Sequence, residues 1–328
     1  TESSDKGEKL LKSTAAFASA TLQVYVGLIA ACALAYFAGG MNGFDAITHA
    51  MTTLSTGGYS GYDASFGHFQ SAFLQWSATL FMLLGCLPFA WYIRLIYRGA
   101  LRSEQVRAMM WSLALVIGVL TTWRIFTSAT DPFTALRLVA FNVVSVVSTT
   151  GYATTDYTLW GPFAVTVFFV LTAVGGCTGS TAGGAKAMRW LLLGRGIKAQ
   201  IQMMQSPFRI VTIKYEGERV DDDVMSGVVT FFVIYLATYA FLASSLSLSG
   251  LDFTTATSGA LTALANVGPG VGSVIGPAGN FSSLNDLAKI ILVIGMFLGR
   301  LELLAVFVLL TPMFWREIRV RQERGPQS

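Results

Sequence analysis

Ser55-Thr56-Gly57-Gly58-Tyr59 recurs as Ser148-Thr149-Thr150-Gly151-Tyr152 and again as Asn266-Val267-Gly268-Pro269-Gly270. Each loop follows a short helix-length apolar segment and cannot itself stay helical, because Gly and Pro fall where the next turn would have to close. Each also lies between two hydrophobic spans long enough to cross a bilayer. The repeating unit is therefore span, half-helix, loop, span. Broken backbone at membrane depth is tolerated only where protein or a water-filled cavity satisfies its polar groups, so the repetition predicts one shared axial cavity.

Composition points the same way. Of 328 residues, 53% are hydrophobic and only 12% charged, with 33 Gly, which excludes an ordinary soluble domain and predicts an integral membrane protein. The net charge of +4 offers no basic surface suited to nucleic acid. Cys32, Cys86 and Cys177 lie in apolar surroundings without metal-ligand spacing; an odd, scattered set gives no disulfide framework, so they are expected to be packing residues.

Counting about 20 apolar residues per crossing, spans are predicted near 17–39, 70–97, 108–129, 162–193 (interrupted), 223–248 and 286–315. Lys6, Lys9 and Lys12 precede the first, and Arg94, Arg98, Arg102 and Arg107 join the second to the third. Arg195, Lys198, Arg209, Lys214 and Arg219 join the fourth to the fifth, and Arg316, Arg319, Arg321 and Arg324 follow the last. All fall on one side, which the positive-inside rule makes cytoplasmic, with both termini. The alternate stretches 40–69, 130–161 and 249–285 carry Asp45, Asp63, Asp131, Asp156 and Asp252 against Arg137 alone, and face outward.

Every outward stretch opens on an acidic-aromatic start, Phe44-Asp45, Asp131-Pro132-Phe133 or Asp252-Phe253, that suits a helix N-terminus. A helix of about three turns is too short to cross and must turn back. Its partly negative C-terminal end then points at the loop, a field that favours a cation. The chain accordingly divides into three pore units, 1–100, 101–200 and 201–328.

A dehydrated monovalent cation needs several oxygen ligands, and backbone carbonyls provide them where Gly opens dihedrals closed to other residues. Aligned on Thr56, Thr149 and Asn266, the loops place Gly58, Gly151 and Gly268 at equivalent positions, with Gly57, Thr150 and Val267 between. These nine residues are the candidate filter for such a cation. Close helix packing also favours Gly, Ser and Thr, but three aligned loops argue against that reading.

The loops, together with Gly175-Gly176-Cys177-Thr178-Gly179-Ser180-Thr181-Ala182-Gly183-Gly184 and Gly299-Arg300-Leu301-Glu302, occur in an order that resembles the Trk/Ktr/HKT superfamily of potassium transporters, most closely its TrkH-type bacterial members. The resemblance covers nearly the whole chain. It implies an all-α membrane protein in which repeated units of transmembrane helix, pore half-helix, filter loop and transmembrane helix surround a pseudo-fourfold ion pathway. Glycine at all three filter positions resembles the potassium-selective members, since Ser at one of them is associated in plant relatives with sodium preference. Family members carry four such units and three are found here, so the chain is expected to be N-terminally truncated and to hold units two to four. Further implications are channel-like potassium uptake with K+ the one metal ion expected, at the nine filter residues, a bacterial inner-membrane location, pairing of two membrane subunits, and a cytosolic nucleotide-binding regulatory ring of the TrkA/KtrA kind.

Gly175 to Lys186 packs five Gly with Ser and Thr into an apolar crossing, at about 1 kcal/mol of lost helix stability per Gly relative to Ala. A phosphate loop is disfavoured, because Gly184-Ala185-Lys186 stands where Gly-Lys-Ser/Thr is needed and no strand precedes it. The alternatives are a helix kink at a packing contact and, as the resemblance implies, an intramembrane gating loop comprising Gly175, Gly176, Thr178, Gly179, Ser180, Gly183, Gly184 and Lys186. Arg300 lies about 14 residues, or about 21 Å, from either end of the last predicted span, too deep to reach the interface. It is expected to face the cavity below the filter and to form an electrostatic barrier with the gating loop. Glu302, two positions on, sits on a different helix face and is not a ready counter-charge.

Arg124 and Lys289 lie near the outer ends of spans, where snorkelling explains them. His49 and His68 have no nucleophile or metal-ligand companion at meaningful spacing, so enzyme chemistry ranks last. A broken-helix secondary carrier predicts inverted halves, whereas these units all enter from one side. A non-conducting assembly subunit is the remaining alternative. Lipid is the default contact of the basic stretch Arg195 to Arg219.

Overall fold

The computed structural model describes residues 14–99, 101–206, 211–301, 303–312 and 314–316. Lys6, Lys9, Lys12, Arg209, Glu302, Arg319, Arg321, Arg324 and both termini lie outside the described residues. Among the described residues the regular structure is helical apart from one small hairpin.

Among the described residues, three helices are long and apolar enough to cross a membrane singly: α1 (Thr14–Ala38), α5 (Glu104–Ser128) and α9 (Asp222–Leu248). Between them run α2 (Gly43–Leu54), α3 (Ala72–Gly85), α4 (Phe89–Arg98), α6 (Pro132–Val147), α7 (Pro162–Thr172) and α8 (Ala187–Gln205). They are followed by α10 (Phe253–Ala265), α11 (Asp286–Arg300) and α12 (Leu303–Leu310). Large apolar side chains such as Leu34, Phe126 and Phe241 stand exposed on the long helices while Cys32 and Tyr36 are buried, the arrangement of a surface that faces lipid.

The short helices α2, α6 and α10 form where expected, and their starts show why. Asp131 accepts from the Thr134 amide at 3.0 Å, and Asp252 from the Thr255 amide at 3.1 Å, each satisfying a donor the helix leaves free. In α2 the cap is Asn42 instead of the expected Phe44-Asp45. Asn42 Oδ1 accepts from the Asp45 amide at 2.8 Å while its Nδ2 donates to Asp45 Oδ2, a reciprocal cap that leaves Asp45 in the first turn.

Two predicted spans depart from a single helix. The stretch expected over 70–97 bends by 88° between α3 and α4. Pro88 lacks an N–H and caps the start of α4 in an extended conformation, and the Phe89 amide donates to the Gly179 carbonyl at 2.9 Å in place of a helical partner. The last span is divided too: α11 ends at Arg300, so this residue occupies a helix C-terminus, where its charge is favoured, and not the middle of a continuous helix. The fourth span breaks as expected, between α7 and α8, and α8 continues past 193 to Gln205. In the basic stretch after it, β1 (Lys214–Tyr215) and β2 (Glu218–Arg219) pair antiparallel, a hairpin with no sequence-level expectation.

The second short helix lies at the centre. Every residue of α6 from Val139 to Val147 is buried, with Tyr157, Trp160 and Phe168 packed around it. In contrast, α2 keeps Ile47 and Met51 exposed. The cysteines are all free and buried, as packing residues should be.

Candidate functional site

The loops after α2, α6 and α10 share one backbone path. Thr56, Thr149 and Asn266 have φ of 51°, 58° and 57°, and Gly58, Gly151 and Gly268 have φ of 64°, 81° and 115°. Their amides turn back into the helix just finished. Gly57 and Gly58 both donate to Thr52 O (2.9 and 3.2 Å), and Thr150 and Gly151 to Ser145 O (2.9 and 3.3 Å). Val267 donates to Thr262 O and Gly268 to Thr262 Oγ1 (3.1 and 3.0 Å). Among the described residues, no donor bonds to the carbonyl oxygens of Thr56, Gly57, Gly58, Thr149, Thr150, Gly151, Asn266, Val267 or Gly268.

The three loops meet. A Cβ on Gly58 would collide with the Thr150 carbonyl oxygen, and one on Gly151 with that of Val267, so equivalent carbonyls press on successive glycines. At Gly268 a Cβ would come only within 4.0 Å of Gly151 Cα. Residues of the first and third loops also line a cavity of about 660 Å³, together with Phe281, Lys289, Met296 and Arg300. Tyr152 ties neighbouring loops together: its hydroxyl shares a 2.5 Å hydrogen bond with Thr52 Oγ1, which in turn donates to Tyr59 O at 2.9 Å.

Residues 173–186 form an irregular loop against the C-terminal ends of all three short helices. Thr181 Oγ1 bonds to Leu54 O and Gly85 O (2.9 and 3.0 Å), and the Gly183 amide donates to Thr149 Oγ1 at 2.7 Å. A Cβ on Gly183 would lie 2.6 Å from Ala265 O, and Gly175 and Gly184 stack backbone to backbone at the neck. The other arm faces the bend between α3 and α4. Cys177 N donates to Cys86 O (3.0 Å), Thr178 N to Gln105 Oε1 (3.2 Å), and Gly179 O accepts from Phe89 N (2.9 Å). Gly176 O accepts from Ala187 N, Ser180 Oγ donates to Cys177 O, and Lys186 Nζ donates to Ala182 O.

Arg300 Nη1 donates to Thr181 O at 3.2 Å, so it touches the predicted gating loop. It lines both the 660 Å³ cavity and a second of about 230 Å³ that also borders Lys186 and Arg189. Sequence reasoning passed over Thr181, Tyr152 and Gln105. Thr181 was visible as a hydroxyl inside the Gly run, whereas the other two act across long sequence separations that no local pattern marks.

Away from the loops, Arg124, Lys289 and the two histidines have local partners. The Arg124 guanidinium lies 4.3 Å from the Trp160 ring centroid, and Lys289 pairs with Asp286 at 3.5 Å. His49 is buried, with Nδ1 donating to Asp45 O and Nε2 3.1 Å from Ser60 Oγ. His68 stacks on Tyr62, whose hydroxyl donates to Asp45 Oδ2; that bond raises the Tyr62 phenol above its ordinary pKa. Among the described residues, no group of three or more His, Cys, Asp or Glu is placed to hold a metal ion.

A profile of TrkH cation transport proteins matches residues 1–129 and 128–317. The chain belongs to the TrkH family. It is 50% identical over 322 residues to the Trk system potassium uptake protein TrkI of Halomonas elongata, covering 97% of this chain and 65% of that protein. With TrkH of Escherichia coli K12 it shares 32% over 321 residues, 95% of this chain and 65% of the relative. The crystal structure of the potassium transporter TrkH from Vibrio parahaemolyticus superposes with a TM-score of 0.86 at 31% identity, over 92% of this chain and 65% of that one. The chain thus spans 65% of the length of these relatives. The family's members are described as cation transport proteins, and the described residues of this one hold three helices long and apolar enough to cross a membrane.

Proposed function

We propose that this TrkH-family chain forms three quarters of a potassium pathway, as the second to fourth pore units, roughly 1–100, 101–200 and 201–328. The observation that carries the reading is the set of unpaired carbonyls on three touching loops whose amides are all turned away. Oxygens without donors, at the negative ends of three helices, replace the hydration shell of a monovalent cation. The names of these two relatives supply potassium as the cation. A further unit of the same kind beside the 660 Å³ cavity would complete a pseudo-fourfold ring.

In this reading the 173–186 loop occludes the path below the filter, held by Thr181, by Gly183 and by Arg300, whose charge repels an arriving cation. Trk system partners follow as part of the proposal: a second membrane subunit, and a cytosolic nucleotide-binding subunit whose pull moves the loop aside. The cavity between the first and third loops also fits a second reading, a non-conducting assembly subunit that carries no cation itself. Rubidium uptake in a host lacking potassium transport separates the two. The chain is compared with a version joined to the N-terminal third of the Halomonas elongata relative. Uptake by the joined protein alone supports the ring, and uptake by neither refutes the potassium assignment.

A further inference from the structure

The cytoplasmic hairpin is not a loose connector. Glu216, at its turn with φ of 52°, sends its carboxylate to the first turn of α5: Oε1 accepts from Ser103 Oγ at 2.9 Å and from the Glu104 amide at 2.8 Å. It thereby caps α5 in place of Ser103, whose own side chain makes no capping bond. Its Oε2 lies 4.0 Å from Arg94 of α4, with both side chains largely buried. Arg195 of α8 joins the same corner, pairing with Glu104 at 2.6 Å and donating to the Lys214 carbonyl. Four elements, α4, α5, α8 and the hairpin, are tied together through two carboxylates, those of Glu216 and Glu104.

This corner leads to the occluding loop by two short routes. Along α5, the residue after Glu104 is Gln105, only 7% exposed, whose Oε1 holds the Thr178 amide. Along α4, Arg94 lies little more than one turn from Phe89, whose amide holds Gly179 O. The loop is therefore gripped on one arm by the ends of the short helices and on the other by α4 and α5. Beneath the second arm, a cavity of about 190 Å³ is bordered by Thr178, Gln105, Arg94 and Glu216. Thr178 Oγ1 and Arg94 Nε have no protein partner there, so the arm has room to move and polar groups that water can take over as it does.

We infer that Glu216 is a latch and Gln105 its link: positioning residues that hold the 173–186 loop in its occluding place, so that displacing the cytoplasmic hairpin frees the loop. The inference rests on the proposed gate only for its consequence on flux. Its geometric part stands alone: Glu216 fixes α5, and α5 fixes Thr178.

The test is hydrogen exchange of the chain in lipid nanodiscs, paired with the rubidium assay in the joined protein. Removing a hydrogen-bonded carboxylate in Glu216→Ala is expected to speed amide exchange at 177–179 by about tenfold, the loss of one charge-assisted bond, and to raise resting uptake. Glu216→Gln keeps an oxygen for Ser103 and Glu104 while losing the charge toward Arg94, and is expected to fall between. Gln105→Leu should reproduce the loop effect with the hairpin undisturbed. Unchanged exchange at 177–179 overturns the latch, and so does a rise that extends equally to α10, which signals general loosening. Faster loop exchange with unchanged uptake keeps the latch and refutes the gate.

Discussion

Gly58→Ala puts the filter reading under the greatest strain. At φ of 64°, any residue with a Cβ sits in the left-handed region, at about 1–2 kcal/mol. The added methyl would also collide with the Thr150 carbonyl oxygen, and forcing an extra carbon into a packed site costs about 1–3 kcal/mol. Relief requires moving a proposed ion ligand, so the two terms act on the same atoms. Together they reach about 2–5 kcal/mol, and at about 1.4 kcal/mol per decade rubidium uptake by the joined protein should drop at least tenfold. Gly61→Ala is the control in the same loop, since nothing lies within 4 Å of its Cβ position. Membrane abundance measured by immunoblot normalises both. Equal uptake by Gly58→Ala and Gly61→Ala refutes the argument.

Arg300→Ala removes both the bond to Thr181 O and the charge between two cavities, and should raise resting rubidium flux; an unchanged flux removes its gating role. Thr181→Val keeps the shape but loses the hydroxyl between Leu54 O and Gly85 O, about 1 kcal/mol, and flux in the absence of any regulator should rise about fivefold. Tyr152→Phe cuts the tie to Thr52 Oγ1 between two loops, so sodium should compete better against rubidium in uptake, and unchanged competition would show the hydroxyl to be dispensable.

The pore loops were legible because their chemistry is local. A cap such as Asp131 or Asp252, a short apolar helix and a Thr-Gly step each act within a few residues. The Gly run at 175–184 announced a break for the same reason. What escaped was set by partners far along the chain. Leu87-Pro88 is one weak signal inside an apolar run, and the 88° bend depends on Gly179, about ninety residues on. Arg300 read as a mid-span charge because nothing in α11 predicts that the helix stops there, where Gly299 lies against the Leu264 carbonyl. Glu216 gave no sign that it caps a helix which begins at 104. Contacts across more than a hundred residues leave no periodicity to read.

Anomalous diffraction from crystals of the joined protein grown in rubidium or thallium salts addresses the central claim directly. Density is predicted within the ring of carbonyls contributed by Gly58, Gly151, Gly268 and the residues before them. A filled pathway with no density at that ring, or with the cation held by side chains elsewhere, would contradict the account.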